Sequence, residues 1–269
     1  MPILEAAGHH VLALDLLGCG YSDKPLVDSM NYTQRNQGEL VSCAIASLGL
    51  TDVTLVGHSS GGVVAAAAAQ VDPSRISGLV LISPGFYYTT ALLKLFVWPL
   101  NVVLARMLST VETRVAMFNK SHVDKAVVTP ELIADFTQPT HTPGAIDAVG
   151  LMMLAREAPY PNLISGLVPA MPMLLVWGEE DTVNLPSAVE KIRMAASCVV
   201  QTVLVPRCGH YVQHESPELL AKAIVKFCRS TLTHRREVLH LFLGQTGVYS
   251  ILVQYRLRNS PYKSGICCL

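Results

Sequence analysis

Short apolar runs rich in Val, Leu and Ile recur along the chain at 11–16, 53–56, 78–82, 173–177 and 201–205, and none alternates cleanly with polar positions. Continuous apolar runs of strand length suit parallel strands covered on both faces. Between the first two, 34–48 carries apolar residues at helical spacing and stops at Gly49, a suitable C-cap. The alanine-rich run 61–70 favours helix through its side chains. Segments 185–196 and 217–229 are also helical in pattern, with Pro186 and Pro217 placed at their first turns. Strand and helix therefore alternate. That order predicts an α/β fold: a mostly parallel sheet with helices on both faces, joined by right-handed crossovers.

One connection is out of scale. Between 78–82 and 173–177 lie about ninety residues, far more than an ordinary strand-to-strand link. The span is helical in flavour and broken by Pro99, Pro130, Pro139, Pro143, Pro159 and Pro161. It reads as an inserted helical cap over 86–170, with the core formed by 1–85 and 171–230 and an atypical tail over 231–269.

Composition narrows the partners. Half the 269 residues are hydrophobic (51%) and 15% are charged, which fits a sheet buried on both faces. Twenty basic residues balance twenty acidic ones, and no stretch concentrates positive charge as phosphate binding needs, so nucleic acid is not an expected partner. Seven cysteines, at 19, 43, 198, 208, 228, 267 and 268, lack CxxC spacing. They read as reduced thiols in a cytoplasmic setting rather than a disulfide framework. The start, MPILEAAGHH, has no signal-peptide pattern. The longest apolar span, 91–108, is interrupted by Lys94, Pro99 and Arg106, so no transmembrane segment is expected.

The candidate chemistry begins where the second apolar run stops. Gly57-His58-Ser59-Ser60-Gly61 matches G-x-S-x-G directly after a predicted strand and directly before a predicted helix. Small residues two before and two after the serine let strand and helix approach at a sharp turn, lifting the Ser59 hydroxyl clear of the sheet. The helix start aims backbone N–H groups at an oxyanion forming beside it, and Ser60 N–H is the natural oxyanion-hole donor. A Walker loop would need Gly-Lys-Ser/Thr, and a dinucleotide loop a different glycine spacing.

A serine hydroxyl needs a base to take its proton and an acid to orient that base. In this architecture the acid and the histidine follow the serine, each in a loop after a later strand. The run 173–177 leads into Gly178-Glu179-Glu180-Asp181, and 201–205 leads into Pro206-Arg207-Cys208-Gly209-His210. Glu179 and Glu180 are competing acids. His210 and His214 have a helical metal spacing but no third ligand, so no metal is expected and His214 reads as polar packing at a helix entrance. His58 reads as structural or pocket-lining, His141 as an exposed cap residue and Cys208 as a packing thiol. Phe86-Tyr87-Tyr88 suits an apolar acyl pocket or ordinary core.

Together, Asp15-Leu16-Leu17-Gly18-Cys19-Gly20-Tyr21-Ser22, GHSSGG, VWGEED and CGHYVQHESPE resemble loops of the α/β-hydrolase fold superfamily over about residues 3–230. The loop order and cap are similar to its capped serine hydrolase branch, with carbon–carbon bond hydrolases and carboxylesterases. The resemblance implies Ser59 as nucleophile, Asp181 as orienting acid and His210 as general base. It implies no cofactor, a small apolar substrate, and hydrolysis of an ester, thioester or related carbonyl bond.

The chain departs from the family pattern at both ends. Members carry upstream strands, one of which ends in a second oxyanion loop and lies between the strands matching 11–16 and 53–56. None of that precedes residue 11 here. The alternative expectation is therefore a catalytically impaired, shortened form acting as a binding or regulatory protein. In the tail, 238–243 and 248–257 are strand-like and flank Gly244-Gln245-Thr246-Gly247, a hairpin signal. The hairpin could fill the vacant place, but the favoured expectation is a tail that packs loosely.

Overall fold

The computed structural model describes residues 2–26, 32–87, 99–155, 160–167, 171–197, 200–231 and 239–244. In chain order these form α1 (Pro2–Ala6), β1 (His10–Asp15), α2 (Gln34–Ser47), β2 (Val53–His58), α3 (Ser60–Val71) and β3 (Ile76–Ile82). Five helices follow: α4 (Leu100–Leu108), α5 (Val111–Ser121), α6 (Pro130–Thr137), α7 (Ala145–Leu154) and α8 (Pro161–Ser165). The chain then returns to the sheet with β4 (Met173–Gly178), α9 (Ala188–Ala195), β5 (Val200–Val205), α10 (Val212–Glu215), α11 (Pro217–Thr231) and β6 (Leu239–Gly244). The six strands make one parallel sheet in the order β1-β6-β2-β3-β4-β5.

Period-two side-chain alternation splits each central strand between two cores. Leu55, Leu79, Leu81, Met173, Leu175 and Trp177 pack on the side of α2 and α3. Val56, Val80, Ile82, Leu174 and Val176 pack on the other side, against Leu220, Ile224 and Phe227 of α11. Both faces are dry, which is why the runs are continuously apolar.

The alanines of α3 have a packing reason as well as a propensity. Gly38 of α2 sits so close that a Cβ there would lie 2.6 Å from Ala67 Cβ and 2.7 Å from Ala68 N. Small residues on both helices permit this approach, and every residue from Ser60 to Ala69 is buried. The helices between β3 and β4 start locally: Thr110 Oγ1 accepts from Thr113 N at the start of α5, and Thr129 Oγ1 accepts from Leu132 N at the start of α6.

The tail corrects the favoured expectation. Residues 239–244 are not loosely packed: β6 runs parallel to both neighbours, from His10↔Leu239 to Asp15↔Gly244 on β1 and from Val53↔Leu239 to Gly57↔Leu243 on β2. The pairing follows from the cost of leaving it unmade. Without β6, the facing edges of β1 and β2 would hold buried unpaired N–H and C=O groups at about 1–3 kcal/mol each. Leu243 also buries its side chain against the α3 face of the sheet. The rest of the hairpin signal, 245–257, lies outside the described residues.

Candidate active site

Ser59 sits between β2 and α3 with φ 54° and ψ −121°, in the positive-φ region that side chains avoid. Three backbone bonds hold it there. Ser59 N–H donates to Ile82 O at 2.9 Å, while Gly85 N–H and Gly62 N–H donate to Ser59 O at 3.0 and 3.1 Å. The flanking glycines are required sterically: a Cβ on Gly57 would lie 2.3 Å from Gly61 O. Ser60 opens the first turn of α3 directly after Ser59.

The candidate acid and the candidate base meet after the ends of β4 and β5. Asp181 Oδ2 lies 2.8 Å from His210 Nδ1, and both side chains are almost wholly buried. The other carboxylate oxygen, Oδ1, accepts from Val183 N at 2.8 Å and Asn184 N at 2.9 Å. Asn184 is anchored in turn, its carbonyl accepting from Trp177 Nε1 at 2.8 Å and its amide donating to Ser83 O at 2.8 Å. With Oδ1 saturated, Oδ2 is committed to the imidazole. The Nδ1 proton therefore points at the acid and Nε2 keeps its lone pair. Glu179 and Glu180 are exposed and make no such contact.

The histidine loop is tied to its surroundings on three sides. His210 N–H donates to Ser121 O at 2.8 Å. His58 Nε2 donates to His210 O at 2.9 Å, and the two rings stand 4.6 Å apart. His58 is thus a strap between the residue before Ser59 and the backbone of His210. Glu215 is the third tie, accepting from Gly209 N through Oε2 and from Val123 N and Asp124 N through Oε1, all at 2.7–2.8 Å. The segment 121–124 after α5 is thereby fastened beside the imidazole. Among the described residues, no hydrogen bond joins Ser59 Oγ to His210.

Behind His210 lies a stack that the sequence did not announce. The rings of His122, Tyr211 and His214 are nearly parallel, with interplanar angles of 4° for His122–Tyr211 and 6° for Tyr211–His214, and Phe118 stacks at 18° on Tyr211. His122 Nδ1 donates to Phe118 O at 2.8 Å, so its Nε2 must accept from His214 Nδ1 at 3.0 Å. His214 Nε2 is left buried with no partner, able only to gain a proton. Burial and the neighbouring His122 push its pKa down to about 3. Burial likewise lowers His122, and burial with the neighbouring His210 lowers His58 well below 6.5.

These shifts set an acid limit on the fold. An unfolded chain protonates His214 near 6.5, whereas the folded one holds it neutral down to about 3. Its contribution is present in full above 6.5 and is lost as pH falls through that window, by about 1.4 kcal/mol per pH unit. His214→Asn keeps a donor toward His122 and removes the titration. Urea unfolding at pH 7.5 and 5.0 should show a shallower pH dependence in the variant, by about one proton. Equal slopes in the two proteins would refute this account of the stack.

The remaining expected residues fall as follows. Cys208 is buried and its thiol is pushed up to about 12, first by burial and then by Glu215, so it is a packing group. Phe86 is fully buried core, and its carbonyl accepts from Tyr160 N. Tyr88 lies outside the described residues. His141 is exposed on a 3-10 turn, away from these contacts. His58, His122 and Glu215 were legible only as residue types, since their roles are contacts across 90 or more positions. No described helix is long and apolar enough to cross a membrane.

The parallel sheet with helices on both faces agrees with the family comparison: residues 1–217 match the model described as alpha/beta hydrolase fold. The chain belongs to that family. Among curated relatives it is 28% identical over 228 residues to an uncharacterized hydrolase, YugF, of Bacillus subtilis, covering 82% of this chain and 81% of that one. It is 27% identical over 245 residues to a 2-hydroxy-6-oxononadienedioate/2-hydroxy-6-oxononatrienedioate hydrolase of Paraburkholderia xenovorans, covering 83% and 78%. Among solved structures, a thermophilic esterase from Thermogutta terrifontis superposes with a TM-score of 0.64 at 23% identity, covering 80% of this chain and 78% of the other.

Proposed function

We propose that this alpha/beta hydrolase is a serine hydrolase that cleaves an ester, thioester or related carbonyl bond of a small apolar substrate. The observation that carries the reading is the buried Asp181–His210 pair at 2.8 Å, with Oδ1 of Asp181 saturated, at the same end of the sheet as the strained Ser59 turn. Ser59 Oγ attacks the carbonyl carbon while His210 Nε2 takes its proton. Asp181 holds the ring in the tautomer that leaves Nε2 basic and stabilises the imidazolium. The oxyanion of the tetrahedral intermediate accepts from Ser60 N–H at the start of α3. On collapse the leaving group takes the proton from His210. Water deprotonated by the same nitrogen then releases the acyl group and restores the hydroxyl. The reaction calls on no metal or organic cofactor.

Segment 121–124 is held to the histidine loop by Glu215 and by the His210 N–H. The likeness to a 2-hydroxy-6-oxononadienedioate/2-hydroxy-6-oxononatrienedioate hydrolase supports hydrolysis as the reaction. A second reading rests on the missing hydrogen bond between Ser59 Oγ and His210: a chain whose serine is unactivated and whose role is binding. A fluorophosphonate probe separates the two. The full chain at pH 8 should take up one equivalent on the peptide carrying Ser59, and Ser59→Ala should take up none. Absence of labelling in the full chain, or labelling that persists in Ser59→Ala, would overturn the hydrolase reading.

A further inference from the structure

We propose that β6, drawn from the far end of the chain, is a positioning element for the nucleophile. This role rests on the assignment of Ser59 above. The Ser59 turn has two flanks. On one, β3 and the residues after it hold the serine through Ile82 O and Gly85 N. On the other flank lies β6, whose Leu243 pairs with Gly57 of β2. The strand does more than fill space there. Leu243 O presses on the first turn of α3, and a Cβ built on Gly61 would lie 2.6 Å from it, with all three nearest atoms belonging to Leu243.

Gly57 and Gly61 thus meet each other and Leu243 in one tight backbone cluster around Ser59. The φ of 54° at Ser59 needs support from both sides, because a strained residue persists only where its surroundings over-determine it. With β6 undocked, Gly57 keeps Leu81 of β3 as a ladder partner but loses Leu243, and Gly61 loses the backbone oxygen that its open face meets. The nucleophile then depends on a strand about 180 residues away in sequence, and docking of that strand becomes a condition for attack.

Two full-length variants test this. Leu241→Pro interrupts the ladder of β6 on a backbone already paired on both sides. Gly61→Ala leaves β6 intact but places a methyl group against Leu243 O. By hydrogen exchange of the unmodified chain, the amides of 239–244 should be as slow as those of 53–58. In Leu241→Pro, amides of 57–62 should exchange at least tenfold faster, while those of 217–231 keep their rate. The fluorophosphonate inactivation rate should fall at least tenfold in each variant, with the half-saturating probe concentration within about threefold. The double variant should label no more slowly than Leu241→Pro alone, because the methyl group then has nothing to strike. Fast exchange over 239–244, unchanged exchange over 57–62, or full additivity in the double variant would each overturn the proposal. If the unmodified chain fails to react with the probe, the assignment of Ser59 falls and the exchange data at 57–62 still judge the role of β6.

Discussion

Asp181→Asn should lower ester turnover about ten-thousandfold while leaving the melting temperature within a few degrees of the parent. The direction follows from which oxygen is committed. Oδ1 of Asp181 accepts from two backbone N–H groups, of Val183 and Asn184, and only an oxygen can do so. The amide of an asparagine must therefore place its carbonyl there and its NH2 toward His210 Nδ1. An NH2 group facing Nδ1 forces that nitrogen to accept, and the ring proton moves to Nε2, which can no longer take the Ser59 proton. The fold survives because the volume and both backbone bonds are retained. Turnover of a p-nitrophenyl ester, with thermal unfolding measured alongside, checks the claim. A rate within tenfold of the parent would mean that the 2.8 Å contact does not set the tautomer.

Gly178→Ala should cost both stability and rate. Gly178 ends β4, three residues before Asp181, and a Cβ there would lie 2.1 Å from Gly209 O and 2.4 Å from Cys208 O. Those atoms are backbone, and they are pinned: Glu180 N donates to Cys208 O at 3.0 Å and Glu215 holds Gly209 N at 2.8 Å. The methyl group can be admitted only by moving the loop of the acid away from the loop of the histidine. Overpacking of this kind destabilises by about 1–3 kcal/mol. An ångström of misplacement at a reacting group costs about a hundredfold in rate. Thermal unfolding and probe labelling should fall together, and a variant that melts lower but labels at the parent rate would show that the two loops move as one body.

The residues that carry the site differ in how they could be read. Ser59 is conspicuous because glycines and serines interrupt a run that is otherwise buried, and an interruption of that kind demands a backbone reason. Asp181 and His210 each follow an apolar run, so their place at the carboxyl ends of strands comes from the order of elements. The choice of Asp181 over Glu179 and Glu180 came from resemblance alone. In the structure Asp181 is the one of the three whose carboxylate reaches His210, and the N–H groups of Val183 and Asn184 wrap its other oxygen. His58 shows the opposite case. Its neighbour marks the motif, yet its bond to His210 O spans 152 positions and leaves no periodic trace.

By itself the sequence determined the class of fold, the two-faced burial of the strands, the serine turn and the order of the three loops. Each of these is a local matter: periodicity, small residues at a close approach, and the residue that follows a strand. Tertiary structure alone decided that 239–244 lies between β1 and β2, that Glu215 binds segment 121–124 to the histidine loop, and that His214 is held neutral in a stack. An apolar run declares that it must be covered but not by what. A parallel strand can be paired by any other strand of fitting length, and which one arrives is settled by the unpaired backbone groups waiting in the sheet.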